Sequence, residues 1–234
     1  MKFKKLIIYI IVGILLTVTV LLTSMEVIAF NMDNFRDSFE KNNISSVTGM
    51  DQKNLEYVIE DLLQYLKVED KTLDTKAVIN GEEIEVYGER EKLHMVDVKD
   101  LFIKGEKIRN ISFYTLLLLT IALIIKDKLW KRNLSRALLY TGIVINLLLA
   151  LLLILFYIDF NKYFTIFHLI FFNNDLWILD PNTDILIQLV PEKFFYDTVT
   201  KIIILFAGSS TVTGIIGYLT LKRQSISKVK NKKK

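Results

Sequence analysis

Residues 6–25, LIIYIIVGILLTVTVLLTSM, run for 20 positions without a charge. A bilayer core takes roughly 20 mostly apolar residues per helix, so this stretch reads as a membrane span. Working outward, residues 137–158 and 202–221 meet the same standard. Residues 111–125 are charge-free over only 15 positions. They span if Arg109 at one end and Lys126 or Lys128 at the other snorkel to the two surfaces. The expected fold is therefore a mostly α membrane protein with four spans. The first span reads as an uncleaved anchor rather than a signal peptide. Its apolar stretch exceeds the usual roughly 7–15 residues, and no small-x-small cleavage site precedes Glu26.

Charge bias orients the spans. One side collects Lys2, Lys4, Lys5, then Lys126, Lys128, Lys131, Arg132, Arg136, then Lys222, Arg223, Lys228, Lys230, Lys232, Lys233 and Lys234, with Asp127 as its only acid. That side carries +14, and the whole chain is only +4, so the other side is strongly acidic. Both termini are expected inside, at the cytoplasmic face of the membrane. Apolar residues make up 52% of the 234 and charged residues 24%, which suits a membrane bundle carrying a modest polar domain. The chain has no cysteine, which excludes disulfides, thiolate metal sites and a cysteine nucleophile.

The expected organisation follows. Residues 1–29 form the cytoplasmic N-terminus and first span, and 30–108 a small α+β extracytoplasmic domain inserted between spans one and two. The second span covers 109–128, a cytoplasmic loop 129–136, and the third span 137–158. An aromatic-rich interfacial loop covers 159–197, the fourth span 198–221, and a basic tail 222–234. The tail is of low complexity and is expected to be disordered. The inserted domain opens with Asn, Asp and Ser residues too polar to pack alone. Asp51 then reads as an N-cap before Leu55, Val58, Ile59, Leu62, Leu63 and Leu66, which recur at helical spacing. AVINGEEIEVY, residues 77–87, alternates around Asn80-Gly81 and reads as a hairpin. From Glu89 the period turns helical again, with His94, Asp97, Leu101 and Val98 on one side. In 159–197, Tyr163, Phe164, Phe167, Phe171, Phe172, Trp177, Phe194, Phe195 and Tyr196 crowd among Asn and Asp. That segment reads as a surface-lying turn of helix, a DPNTD turn and another short helix, punctuated by Pro181 and Pro191.

The chain has two histidines. His94 lies in EREKLHMVDVKDLF, residues 89–102, and His168 in HLIFFNNDLWILDPNTD, residues 168–184. Both segments abut apolar runs, on the side expected to be outside. Imidazole moves protons near neutral pH better than any other side chain. A lone interfacial histidine is as often a belt residue as a functional one, and His94 alone reads as a surface histidine. Context adds weight: Asp175, Asp180 and Asp184 are close enough in chain to orient the His168 imidazole, and Asp97 follows His94 by one turn. Other chemistries lack material. There is no Gly-x-Ser-x-Gly elbow and no His-Glu-x-x-His pair. Asn173 and Lys99 stand where a His-x4-Asp acyltransferase signature needs Asp. GSSTVTGIIG, residues 208–217, reads as close helix packing, and Asn146 as an interhelix hydrogen bond. Charge inside the spans is too scarce for an ion path.

At REKLHMVDVK (90–99), FHLIFFNNDLWILDPNTD (167–184) and LVPEKFF (189–195) the sequence resembles the bacterial lipoprotein intramolecular transacylases, the Lit family. Ser46-Val-Thr-Gly49 and the four spans are similar too. The resemblance implies a reaction needing no cofactor and no metal. Its substrate would be the N-terminus of a diacylglyceryl-modified lipoprotein within membrane lipids. The acyl chain at the glycerol sn-2 position would move to the cysteine's own α-amine, giving an N-acyl, S-monoacylglyceryl lyso-form. His168 is expected to act as base and then acid, oriented by Asp175, Asp180 or Asp184, without a covalent intermediate. His94 would relay the proton or stabilise the oxyanion, and the two roles could be exchanged. Asp97, Arg90, Trp177 and Tyr163 are candidates for support or headgroup contact, though each reads as readily as packing or belt. Two rival readings remain: a non-catalytic membrane sensor with an acidic outer domain, and a lipid-ester hydrolase that uses water.

Overall fold

The protein is described here from a computed structural model covering residues 3–232, with side chains for residues 4–227. Lys2, Lys233 and Lys234 of the basic set lie outside the described residues, as do the side chains of Lys228, Lys230 and Lys232. In chain order the elements are α1 (Phe3–Ala29), α2 (Met32–Lys41), α3 (Ile44–Thr48), α4 (Gln52–Lys67), β1 (Lys76–Ile79), β2 (Glu82–Glu85), α5 (Glu89–Lys126), α6 (Trp130–Ile158), α7 (Phe160–Phe171), α8 (Ile185–Leu189) and α9 (Glu192–Lys232). Four stretches are long and apolar enough to cross a membrane: Lys4–Ala29, Glu89–Lys126, Trp130–Ile158 and Glu192–Ser227. They contain the four spans read from the sequence. In α5 the part compatible with lipid is residues 111–125, because residues 89–109 carry charge in every turn.

The chain forms two compact units. The first takes residues up to Met25, Lys107–Leu155 and residues from Ile202 onward. The second takes Glu26–Glu106 and Phe156–Lys201.

In the first unit the helices are apolar on all sides, with Leu118 67% and Ile125 76% exposed, a surface suited to lipid and not to water. Hydroxyls within the apolar runs bond back one turn: Thr17 donates to the Gly13 carbonyl at 2.8 Å, and Ser24 to that of Val20 at 2.8 Å. These hydroxyls are thereby not left bare in hydrocarbon. The backbones of α6 and α9 touch through glycines. A Cβ on Gly217 would lie 2.6 Å from the Ser135 carbonyl oxygen, and one on Gly142 would lie 2.8 Å from the Gly214 Cα. Such close approach replaces the hydrophobic effect as the force joining helices in lipid. Asn146 is the expected bridge, donating to Ser210 Oγ at 2.8 Å and accepting from Thr211 Oγ1 at 3.2 Å. At the α5–α6 turn, buried Asp127 accepts from Lys5 Nζ (2.9 Å), Tyr9 OH (2.9 Å), Asn133 Nδ2 (2.8 Å) and the Leu129 amide (3.2 Å). The Lys5 ammonium, with these donors, holds its carboxyl well below the usual carboxylate range.

The second unit has one core drawn from both of its chain segments. Leu55, Val58, Ile59, Leu62 and Leu66 line one face of α4, as their spacing predicts. Asp51 caps that helix by accepting from the Asn54 amide at 2.8 Å. The second segment adds Leu186, Leu189, Val190 and Phe194 to the same core. The hairpin also forms as read, with Lys76 opposite Glu85 and Ile79 opposite Glu82. Asn80 and Gly81 take φ of 51° and 90°, the twist a two-residue type I′ turn requires. Gly49, at φ 72°, ends α3 where any Cβ would strike the Asn80 side chain at 2.3 Å.

Two expectations change. The polar opening of this unit is ordered as α2 and α3. Asn31 caps α2 by accepting from the Asp33 amide at 2.9 Å, and Phe35 and Phe39, four residues apart, supply the apolar face. That face is not alone, because the Phe35 ring meets Phe194 at 4.7 Å. The basic tail, expected to be disordered, continues α9 as helix to Lys232; its Lys, Arg, Gln and Ser residues include no helix breaker.

Asp127→Asn keeps the shape of the cluster but removes the charge that Lys5 pairs with. We expect a stability loss on the order of 2 kcal/mol, read as a lower thermal midpoint in detergent, with secondary structure retained below the transition.

Candidate active site

Both histidines belong to the second unit, and the structure brings them together. Their ring centroids lie 6.3 Å apart, tilted by 36°, and each residue is 8% exposed. That separation is one that a single reacting group or water bridges. His94 projects from the first turns of α5 and His168 from the end of α7.

α7 begins at Asp159, whose side chain accepts from the Lys162 amide at 3.0 Å. Its aromatic residues at 164, 167 and 168 share one side by helical spacing. Around His168 stand Phe164 at 4.4 Å, Phe167 at 5.4 Å and Phe172 at 5.6 Å, all centroid to centroid. Trp177 stacks on the imidazole at 4.7 Å and 26°. Phe172 also meets His94 edge-on at 5.3 Å, so one ring serves both histidines. His168 Nδ1 lies 2.8 Å from the Phe164 carbonyl oxygen. A carbonyl only accepts, so Nδ1 carries the proton and Nε2 keeps the free lone pair. His94 Nδ1 is buried without a hydrogen-bond partner among the described residues, an arrangement costing roughly 1–3 kcal/mol.

Three side chains of α5 draw the loop after α7 onto the same helix. Arg90 donates through Nε to the Ile178 carbonyl at 3.2 Å and through its terminal nitrogen to the Asp175 carbonyl. It also pairs with the Asp175 carboxylate at 3.5 Å. Glu91, buried, accepts from the Leu186 amide and from the Gly88 amide, both at 2.6 Å. Burial pushes its pKa up, and the two amides oppose that. Asp97 accepts from Asn174 Nδ2 at 2.8 Å. Trp177 is tied in turn by Nε1 donating to the Asn174 carbonyl at 3.1 Å.

The carboxylates expected to orient His168 do other work. Asp175 engages Arg90. Asp180 accepts from the Asn182 amide at 2.9 Å, and Asp184 from the Asp180 amide at 2.7 Å, closing the DPNTD turn. A backbone carbonyl holds the imidazole instead. Of the supporting candidates, Arg90, Asp97 and Trp177 meet at the site. Tyr163 packs on Phe156 at 6.0 Å with Lys162 over its ring, on another side of α7. Glu91, Asn174, Phe164 and Phe172 are site residues not singled out from the sequence. The i, i+4 spacing of Phe164 and His168 is a signal for one of them, whereas the contact of Glu91 with residue 186 has none.

Burial lowers the pKa of both imidazoles. That of His94 falls to about 4, helped by His168 and opposed by the Asp97 carboxylate. That of His168 falls too, opposed by its bond to the Phe164 carbonyl. Both are therefore neutral at pH 7, with the lone pair of His168 Nε2 unprotonated. Among the described residues no group of three His, Asp or Glu side chains converges on a metal position. The open groove of about 510 Å³ in this unit, which Tyr65, Leu93, Val96, Lys99 and Ile103 help to line, does not include either histidine.

A group whose folded pKa is depressed below its unfolded value binds fewer protons when folded, so stability is lost as pH is lowered across the interval between the two values. For His94 that interval runs from about 6.5 down to about 4, with His168 acting in the same direction. The thermal midpoint of the protein should drop steadily across that range. In His94→Gln the decline should be shallower by up to about 3 kcal/mol at the acid end.

The sequence model described as lipoprotein intramolecular transacylase Lit matches residues 10–195. Among solved structures, the membrane integral lipoprotein intramolecular transacylase Lit from Bacillus cereus is similar at a TM-score of 0.74 and 20% identity, covering 94% of this chain and 97% of that one. The same protein with one histidine replaced by arginine is similar at 0.73 and 20%, covering 94% and 93%. With alanine replacing that histidine the values are 0.70 and 20%, covering 94% and 94%. At this identity the likeness establishes a shared fold. No curated protein matches the chain.

Proposed function

The chain belongs to the Lit family of lipoprotein intramolecular transacylases, and we propose that it carries out the transfer through its paired imidazoles. The substrate is the N-terminal S-diacylglyceryl cysteine of a lipoprotein, held among membrane lipids. Its own α-amine attacks the carbonyl carbon of the sn-2 ester. His168 Nε2 takes a proton from the attacking nitrogen. The tetrahedral oxyanion accepts a hydrogen bond from His94, and the two roles remain exchangeable. The carbon–oxygen bond then breaks, and His168 returns the proton to the glycerol oxygen. The product is the N-acyl, S-monoacylglyceryl form. No covalent acyl-enzyme and no cofactor enter, because nucleophile and ester sit in one molecule. The protein's task is to fold that headgroup into a reactive pose and keep water out.

The observation carrying this reading is the buried histidine pair, 6.3 Å apart within an aromatic enclosure. The Phe164 carbonyl supports His168 as the base by fixing its tautomer. Neutral imidazoles support base chemistry at pH 7, and the phenylalanines suit an acyl chain and exclude water. The distribution of lysine and arginine supports cytoplasmic termini and a site at the outer face of the plasma membrane. Asp97, Arg90 and Trp177 act in support, Arg90 and Trp177 by holding the loop over His168.

His168→Ala in cells expressing a reporter lipoprotein tests the reading by mass spectrometry. Transfer moves an acyl chain to nitrogen at constant total mass, hydrolysis loses a chain, and a sensor leaves the reporter unchanged. We expect wild type to make the lyso-form, and His168→Ala to lower it at least about 100-fold with folded protein at normal abundance. An active His168→Ala variant contradicts the assignment.

A further inference from the structure

Asp97 stands one helical turn beyond His94 on α5, so both side chains leave the same face. Its charge is felt at His94, where it opposes the effect of burial. Every other acid around the histidines is occupied. Glu91 is held by two backbone amides, Asp175 by Arg90, and Asp180 and Asp184 by the amides of their own turn. Asp97 has one hydrogen-bond partner among the described residues, the Asn174 side-chain amide at 2.8 Å on Oδ2. That donor fixes one carboxylate oxygen without neutralising its charge. No lysine or arginine among the described residues pairs with Asp97, and both neighbouring imidazoles are neutral at pH 7. Half-buried Asp97 is therefore a negative charge with no cationic partner among the described residues, and the acid whose charge is felt at His94.

We propose that Asp97, braced by Asn174, binds the α-ammonium group of the substrate. The inference rests on the acyl-transfer reading and names what that reading leaves open, the recognition of the nucleophile. A primary α-amine has a pKa of about 8 and arrives mostly as its ammonium. Two aromatic-caged neutral histidines attract no cation by charge, whereas a carboxylate one turn from His94 does. The proton balance is complete. The ammonium releases one proton to water and becomes the attacking amine. A second proton passes from nitrogen through His168 to the glycerol oxygen, and the third stays on the product amide. That amide carries no charge, so the ion pair to Asp97 is lost as the product forms, which favours release. N-acylated lipoproteins lack the ammonium altogether and are discriminated against at binding.

The test uses full-length protein in detergent and two synthetic S-dipalmitoylglyceryl-cysteinyl pentapeptides. One has a free α-amine and serves as substrate; the other is N-acetylated and serves as inhibitor. Asp97→Asn keeps the oxygen that accepts from Asn174 and removes only the charge. We expect it to raise KM for the free amine about tenfold, the effect of one partly exposed ion pair. The inhibition constant of the acetylated peptide should stay within about twofold, since it carries no charge at that nitrogen. Asp97→Glu, which keeps the charge, should fall between wild type and Asp97→Asn in KM. An unchanged KM in Asp97→Asn, or an equal rise in both constants, overturns the assignment. Wild-type protein that makes no N-acyl product from the free-amine peptide contradicts the acyl-transfer reading itself, a result separable from the behaviour of the variant.

Discussion

The site depends on a single helix face gripping a loop that arrives from far along the chain. Arg90, Glu91 and Asp97 bracket His94 on α5 and reach residues 77 to 95 positions away in sequence. Each uses a charge to hold this segment: Arg90 two carbonyls and the Asp175 carboxylate, Glu91 a backbone amide across the unit, Asp97 a side-chain amide. Charge-assisted bonds are stronger than neutral ones, which suits a loop with little core of its own between residues 173 and 184. The turn so fixed carries Trp177 onto the His168 ring. Without that grip, the aromatic lid over His168 would rest on stacking alone.

The same enclosure sets the electrostatics. Phenylalanine and tryptophan rings around two imidazoles disfavour the charged form of both, so they are neutral where an ordinary histidine begins to titrate. Neutrality leaves each ring one nitrogen with a free lone pair, and on His168 the Phe164 carbonyl decides that this nitrogen is Nε2. The orphaned His94 Nδ1 imposes a stability cost, and the lowered pKa values add one as pH falls below about 6.5. The second unit offsets it with a core running from α2 through α4 to α8. The first unit solves a different problem, joining helices in a setting where burial of apolar surface does not drive association. Glycine contacts between α6 and α9, the Asn146 bonds and the Asp127 cluster do that work.

Much of this was legible beforehand. Charge-free runs gave the four spans, Asn80-Gly81 the hairpin, Asp51 the start of α4, and the placement of two histidines beside apolar runs pointed to one site. What escaped has physical causes. α2 was invisible because only two phenylalanines mark its buried face, and their partner Phe194 lies in the other segment. The sequence points to nearby aspartates as partners of His168 because it shows side chains and not backbone carbonyls, whereas the contact Nδ1 makes is with the carbonyl one turn back. The role of Glu91 rests on an amide at position 186, a long-range contact that no local pattern encodes.

Having only two histidines makes the central claim directly measurable. Protein grown with ¹³C,¹⁵N-histidine as the only labelled residue, purified without a histidine tag and placed in lipid, presents two imidazoles to magic-angle-spinning NMR. Rings 6.3 Å apart should give ring-to-ring correlations between the two residues at neutral pH. Two isolated ring spectra with no correlation, under conditions where each ring shows its own internal contacts, would contradict the account.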